Sequence, residues 1–264
     1  VKTSLRKTRL TSPSTAEARF EPDGKAAVQR VLELMAIEGT SGRELAVAEY
    51  VRRELLAAGA SAKDIVHDEA HQASPLEGGQ IGNLVFKLPG TLRAPRRLLM
   101  AHLDTVPLCV GSKPLVRGKV VRSGNKTTGL GADDRSGVAV VLTAALEILR
   151  RGLPHPPLTF FWPVQEEVGL HGSHHADLRL LANPRQAFNW DGGPCSKLTV
   201  GATGAFRLRI VVEGLASHAG AAPEMGVSAI AIAGLAIAEL QTHGWLGAVR
   251  RDGGRGTANI GVIH

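Results

Sequence analysis

With 264 residues, 44% of them hydrophobic, the chain can bury one large core or two smaller ones. No apolar run reaches the roughly 18–20 residues that a bilayer span requires, and Cys109 and Cys195 supply neither a disulfide framework nor a CxxC metal knuckle. The formal charge of +7 comes from scattered arginines and lysines with no nucleic-acid-binding module around them, so it reads as solvated surface.

Residues 1–22 carry charge without the apolar centre of a secretory signal. They read as a disordered tail on a cytoplasmic protein, with neither membrane nor nucleic acid as partner. Next, "GKAAVQRVLELMAIEG" has apolar residues at helical spacing and stops at Gly39. In "TSGRELAVAEYVRRELLAAG", Ser41 followed by Glu44 predicts a capping box, and Gly59 ends the helix. "QIGNLVFKLPG" and "RRLLMAHLDTVP" read as strands between turn residues. "DDRSGVAVVLTAALEILRRG" is the strongest helix, with aspartates at its start and arginines and Gly152 at its end. "PLTFFWPV" and "QAFNWDGG" are further strands. Strands alternating with helices predict an α/β fold, a mostly parallel sheet sandwiched by helices.

The character changes near Gly193. "KLTVGATGAFRLRIVVEG" reads as a hairpin or paired strands, the alanine-rich stretch at 226–240 as a buried helix, and "GTANIGVIH" as the start of another strand. The expected division is a tail over 1–22, a catalytic domain over 23–195 and a smaller, incomplete α+β domain over 196–264.

Groups that do chemistry gather at strand ends. In an open α/β sheet, the C-terminal ends of strands converge on one crevice. "MAHLDTVP" sets His102 and Asp104 two apart, on one face of a strand. The spacing suits a metal-binding imidazole steadied by a carboxylate, or equally a buried histidine bonded to an aspartate. "GLGADDRSGV" places Asp133 and Asp134 between a glycine-rich turn and a helix start. One of them can cap the helix, which leaves the other unexplained. In "PVQEEVGLHG", Glu166 and Glu167 cannot both reach one site from a regular strand. Either one faces water or the chain bends there. "NWDGG" ends a strand in Asp191. One imidazole and several carboxylates form a donor set suited to Zn²⁺, with Co²⁺ or Mn²⁺ as substitutes. Two such cations roughly 3.5–4 Å apart would polarise a carbonyl and generate hydroxide near neutral pH, while a carboxylate left free moves the proton.

"HLDTVP", "GADDRSG", "QEEVGLHG" and "NWDGG", in this order and spacing, resemble the M20 family of dinuclear zinc peptidases and amidohydrolases, the peptidase T-like tripeptidases most of all. The resemblance covers about residues 25–264. It implies two Zn²⁺: His102 and Asp191 on one, Asp133 bridging, Glu167 on the second. Glu166 would be the general base and Asp104 would orient His102, with a cis peptide between Asp133 and Asp134. It also implies that the segment from 196 onward is a lid that forms a homodimer. There "GLASHAG" would place His218 to stabilise an oxyanion in the partner's site, and Asn259 in "TANIG" would touch substrate. Small peptides or N-acyl amino acids are the implied substrates. The family completes its second zinc with a histidine near the C-terminus, for which His264 in "NIGVIH" is no stand-in. The chain is therefore expected to be an N-terminal portion, either of an active hydrolase or as a non-catalytic remnant. His67, His71, His171, His174 and His175 read as surface groups.

Overall fold

The computed structural model describes residues 21–264, so the expected tail lies almost wholly outside the described residues. The chain divides into one unit ending at Lys197 and a second running Leu198–His264. In the first, α1 (Gly24–Ala36) and α2 (Leu45–Ala57) precede β1 (Ile65–His67), the short α3 (Ala70–Ala73), β2 (Leu84–Leu88) and β3 (Arg97–Met100). A hairpin of β4 (Pro114–Arg117) and β5 (Val120–Ser123) leads to α4 (Ala132–Arg151). Then come β6 (Leu158–Trp162), α5 (His171–His174), α6 (Leu178–Leu181) and β7 (Gln186–Asn189).

Five strands form one sheet in the order β1-β2-β6-β3-β7. The α/β architecture is the expected one, but the sheet is mixed. β6, β3 and β7 run parallel, while β1–β2 and β2–β6 pair antiparallel. Crossover length decides this, because a parallel neighbour needs a long return. The 20-residue α4 supplies one between β3 and β6, whereas only the four-residue α3 lies between β1 and β2. All five side chains of β6 are buried, and they alternate between two layers. Phe160 and Trp162 join Leu84 and Phe86 beneath α1, α2 and α4, where Leu34, Val51, Leu55, Val138 and Leu142 pack. Phe161 turns to the opposite face with Val85 and Leu98, against Leu180 and Leu181 of α6.

Two helix boundaries differ from the sequence expectation. α1 ends at Ala36, three residues before Gly39, with Ile37 already extended. The Ser41–Glu44 capping box is absent: Glu44 sits at the N-cap of α2 and makes no side-chain bond to that helix. Both side chains bond elsewhere, as described below. Three histidines expected at the surface are half-buried: His67 at the end of β1, His71 in α3 and His171 at the start of α5.

The second unit contains α7 (Ala229–Thr242) and a hairpin of β8 (Gly247–Arg251) and β9 (Gly254–Ala258). Ser228 caps α7 by accepting from the Ala231 N–H at 3.1 Å. Asp252 and Gly253, with φ of 49° and 75°, make the two-residue turn that suits a right-twisted hairpin. Two expectations fail here. The paired strands expected from "KLTVGATGAFRLRIVVEG" do not form, since 198–214 carries no ladder and Val200, Phe206 and Leu208 are 85–93% exposed. An extended run holds its shape only where a neighbour takes its N–H and C=O groups. Likewise α7 buries no residue among those described, because one hairpin cannot enclose a helix that is apolar all round. The expected final strand is β9, and it stops at Ala258.

Candidate metal centre

Since β3, β6 and β7 are parallel, their C-terminal ends share one edge of the sheet, and the acids and imidazole lie just beyond them. β3 itself ends at Met100, two residues before His102. The chain stays extended, with the Leu103 N–H donating to the Pro163 carbonyl at 2.8 Å, so His102 and Asp104 still face the same way. Both are buried. Nε2 of His102 points to Asp133 Oδ1 at 3.1 Å and lies 3.9 Å from Glu166 Oε2. Nδ1 is 3.3 Å from Asp104 Oδ1, an ion-pair distance rather than a well-aligned hydrogen bond.

Asp133 and Asp134, joined by a cis peptide, split their work. Asp133 is exposed and faces His102, whereas Asp134 is buried. Asp134 Oδ2 accepts from the His102 N–H and Oδ1 from the Gly137 N–H, each at 3.1 Å. Both aspartates have non-helical backbones, so the regular part of α4 starts after them and Asp134 is its capping residue. Burial raises the Asp134 carboxyl to about 8.

The two glutamates reach one place because the chain bends. Gln165, fully buried, has a φ of 54°, a left-handed conformation that breaks the alternation of β6. The next two N–H groups then point to a single carboxylate: Glu166 donates to Asp104 Oδ1 at 3.0 Å and Glu167 to Asp104 Oδ2 at 3.1 Å. Ser41 adds its hydroxyl to Oδ2 at 2.6 Å. Burial works against the charged form of Asp104, but His102, Ser41 and the Glu166 amide outweigh it and hold the carboxyl below its ordinary range. Asp191 follows β7, whose pairing with β3 is extended by the Trp190 N–H donating to Met100 O at 3.0 Å.

His102, Asp133 and Asp191 place ligand atoms within 4.8 Å of one another, and so do His102, Glu166 and Glu167. Among the described residues no second imidazole joins either group. Burial resists a charge on His102, yet Asp104, Asp134 and Glu166 raise its pKa to about 10. Burial, the neighbouring acids adding to it, also raises Glu166 and Glu167. Crowded carboxylates around one imidazole are an environment that favours added positive charge. With Asp104 on the Nδ1 side, Nε2 is left for a cation, so these residues fit zinc.

Of the expected site residues, His102, Asp104, Asp133, Glu166, Glu167 and Asp191 come together. His218 and Asn259 belong to the second unit and are exposed there. His218 Nδ1 accepts from the Gly220 and Ala221 N–H groups at 3.2 and 3.1 Å, which places its ring proton on Nε2. Sequence reasoning missed three participants. Ser41 and Glu44 carried a signal that also fits a helix cap, and Gln165 carried none, since only Gly, Asn or Asp advertises a positive φ.

Known proteins share this arrangement of elements. The Peptidase family M28 profile matches residues 83–194. The M20 Peptidase dimerisation domain profile matches residues 200–264. A tripeptidase from Staphylococcus aureus superposes with a TM-score of 0.63 at 27% identity, over 86% of this chain and 58% of that one. The chain is M20-like. The aminopeptidase PepT of Bacillus cereus gives a TM-score of 0.60 at 28% identity, over 82% of the M20-like chain and 57% of PepT. The Bacillus subtilis (strain 168) protein YqjE is 30% identical over 238 residues, which is 90% of this chain and 60% of YqjE. The M20-like chain thus spans 57–60% of the length of these relatives.

Proposed function

We propose that the protein containing this chain hydrolyses an amide bond of small peptides, in the manner of a tripeptide aminopeptidase, with two zinc ions as cofactors. The observation that carries the reading is the bend at Gln165, which turns two adjacent glutamates toward the imidazole and aspartates at the end of the sheet. His102 and Asp191 would hold one zinc, Asp133 would bridge, and Glu167 would hold the other. When bound, the pair supplies Lewis acidity toward the scissile carbonyl and lowers the pKa of water.

The chain's own residues then handle position and protons. Asp104 orients the His102 ring through Nδ1. Glu166, whose carboxyl is raised mainly by burial, takes a proton from the attacking water on Oε2 and returns it to the leaving amine. A carboxylate near 4 would be a poorer base, and one fixed on zinc would be none. The segment from 196 onward acts as a lid and dimerisation domain, with His218 as oxyanion donor and Asn259 as a substrate contact. The dimerisation profile over 200–264 supports the reading of this segment as a dimerisation domain. Among the described residues no helix is long and apolar enough to cross a membrane.

Glu166→Gln tests the assignment in the complete protein, with tripeptides and N-acetyl amino acids as competing substrates. Turnover should fall by about 10²–10⁴-fold while zinc content stays at the wild-type level. Zinc lost together with turnover would make Glu166 a ligand and not the base. Faster hydrolysis of N-acetyl amino acids would replace the peptidase with an acylase.

A further inference from the structure

Glu44 is fully buried at the start of α2, where a glutamate ordinarily faces water or the first turn of its own helix. Its Oε1 accepts instead from two backbone N–H groups: Gly42 at 2.8 Å and, 121 residues further along the chain, Gln165 at 3.0 Å. We propose that Glu44 is a positioning residue, whose carboxylate locks the Gln165 backbone in the left-handed conformation that aims Glu166 and Glu167 at His102.

The physical argument starts from the conformation. A non-glycine residue at positive φ is disfavoured by the clash of its Cβ with the backbone, and it persists only where surroundings over-determine it. Gln165 is tied at every polar group of its backbone and at its side-chain oxygen. Its N–H goes to Glu44, its carbonyl accepts from His171 N–H at 3.0 Å, and its Oε1 accepts from Ser74 Oγ at 2.5 Å. Of these partners only Glu44 takes two backbone N–H groups on one oxygen, so a single side chain ties Gln165 to the loop at Gly42.

The same loop grips the two neighbouring pieces of the centre. Ser41 donates to Asp104 at 2.6 Å, Gly39 O accepts from Thr105 N–H at 3.0 Å, and the buried Arg135 donates Nη2 to Gly39 O at 3.2 Å. Residues 39–44 therefore bracket the ends of β3 and β6 and the start of α4 from one side. A mere helix start has no need of these bonds. The effect on turnover rests on the peptidase reading, whereas the effect on the bend does not.

The test compares wild type with Glu44→Gln, Glu44→Ala and Glu44→Asp in the complete protein. Gln keeps an acceptor oxygen in place; Ala removes it; Asp keeps the charge but withdraws the oxygen. Amide hydrogen exchange of the peptide 163–170 should quicken about tenfold or more in the Ala and Asp variants and stay near wild type in Gln, with β6 unchanged. In the zinc-loaded enzyme, kcat should fall about 10–100-fold for Ala and Asp with KM within about twofold, and Gln should restore most of it. Unaltered protection of 163–170 in both Ala and Asp overturns the proposal, and so does protection lost equally across α2 and β6. A wild type that binds no zinc and cleaves no peptide sinks the peptidase reading, and the exchange measurement still decides the role of Glu44.

Discussion

At Gly137 a side chain has no room. A Cβ there would meet the carboxylate of Asp134 and the carbonyl oxygen of Trp190, one bearing on His102 and the other next to Asp191. Gly137→Ala should therefore cost about 1–3 kcal/mol, the usual range for overpacking, and should weaken zinc binding by parting α4 from the end of β7. Urea unfolding and a zinc-binding isotherm check both parts, and an unchanged midpoint with unchanged affinity would refute them. At this scale the sequence disclosed the charged groups and little of what aims them. Singly, His102, Asp104, Asp133, Glu166, Glu167 and Asp191 each had another use, and they were legible because their four motifs recur together in one order and spacing. Gly137, Gln165 and Glu44 were not, since a close approach, a positive φ and a bond across 121 residues leave no local pattern.

Elements are held to one another by bonds whose pH dependence can be worked out. α1 and α2 are joined by the Tyr50 hydroxyl, which donates to Glu33 Oε2 at 2.6 Å, while Gln29 donates to Oε1 at 2.9 Å. The Tyr50 bond, then the Gln29 bond, holds the Glu33 carboxyl below its ordinary 4.5. A depressed folded-state pKa adds stability above the unfolded value and loses it as pH falls through the folded one. Tyr50→Phe should cost about 1 kcal/mol at pH 7, discounted for the exposure of Glu33, and the gap from wild type should narrow below about pH 4. Denaturation midpoints at pH 7 and pH 3 decide it; a gap that widens in acid contradicts the assignment. The longer helices α1, α2, α4 and α7 were readable from apolar spacing, α4 most clearly, whereas the four-residue α3, α5 and α6 are too short to show a period. The antiparallel pairing of β1 and β2 was not, because direction depends on what lies between strands. Nor was the open run at 198–214, where apolar alternation promises a strand only if a neighbour exists to pair with it.

For the molecule as a whole, the centre ties together the ends of β3, β6 and β7 and the start of α4, so a cation there should act on the stability of the entire first unit. Asp104, Asp134, Glu166 and Glu167 are gathered around one buried imidazole, and their mutual repulsion is a cost that a bound cation would relieve. Binding to the folded form alone adds RT ln(1 + [L]/Kd), which is about 2.7 kcal/mol at a hundredfold excess over Kd. For a unit of this size, that corresponds to a rise of about 5–10 °C in Tm. Zinc should produce it, a chelator should reverse it, and Asp191→Asn should shrink it. Zinc and protons compete for His102 and the carboxylates, and because the His102 pKa is raised to about 10 the rise should be largest at alkaline pH, already reduced at pH 7 and fading further toward pH 5. A scan in which zinc leaves Tm unchanged at pH 7 would mean that these donors do not cooperate on a cation. Equal rises in wild type and Asp191→Asn would mean that the ion binds elsewhere.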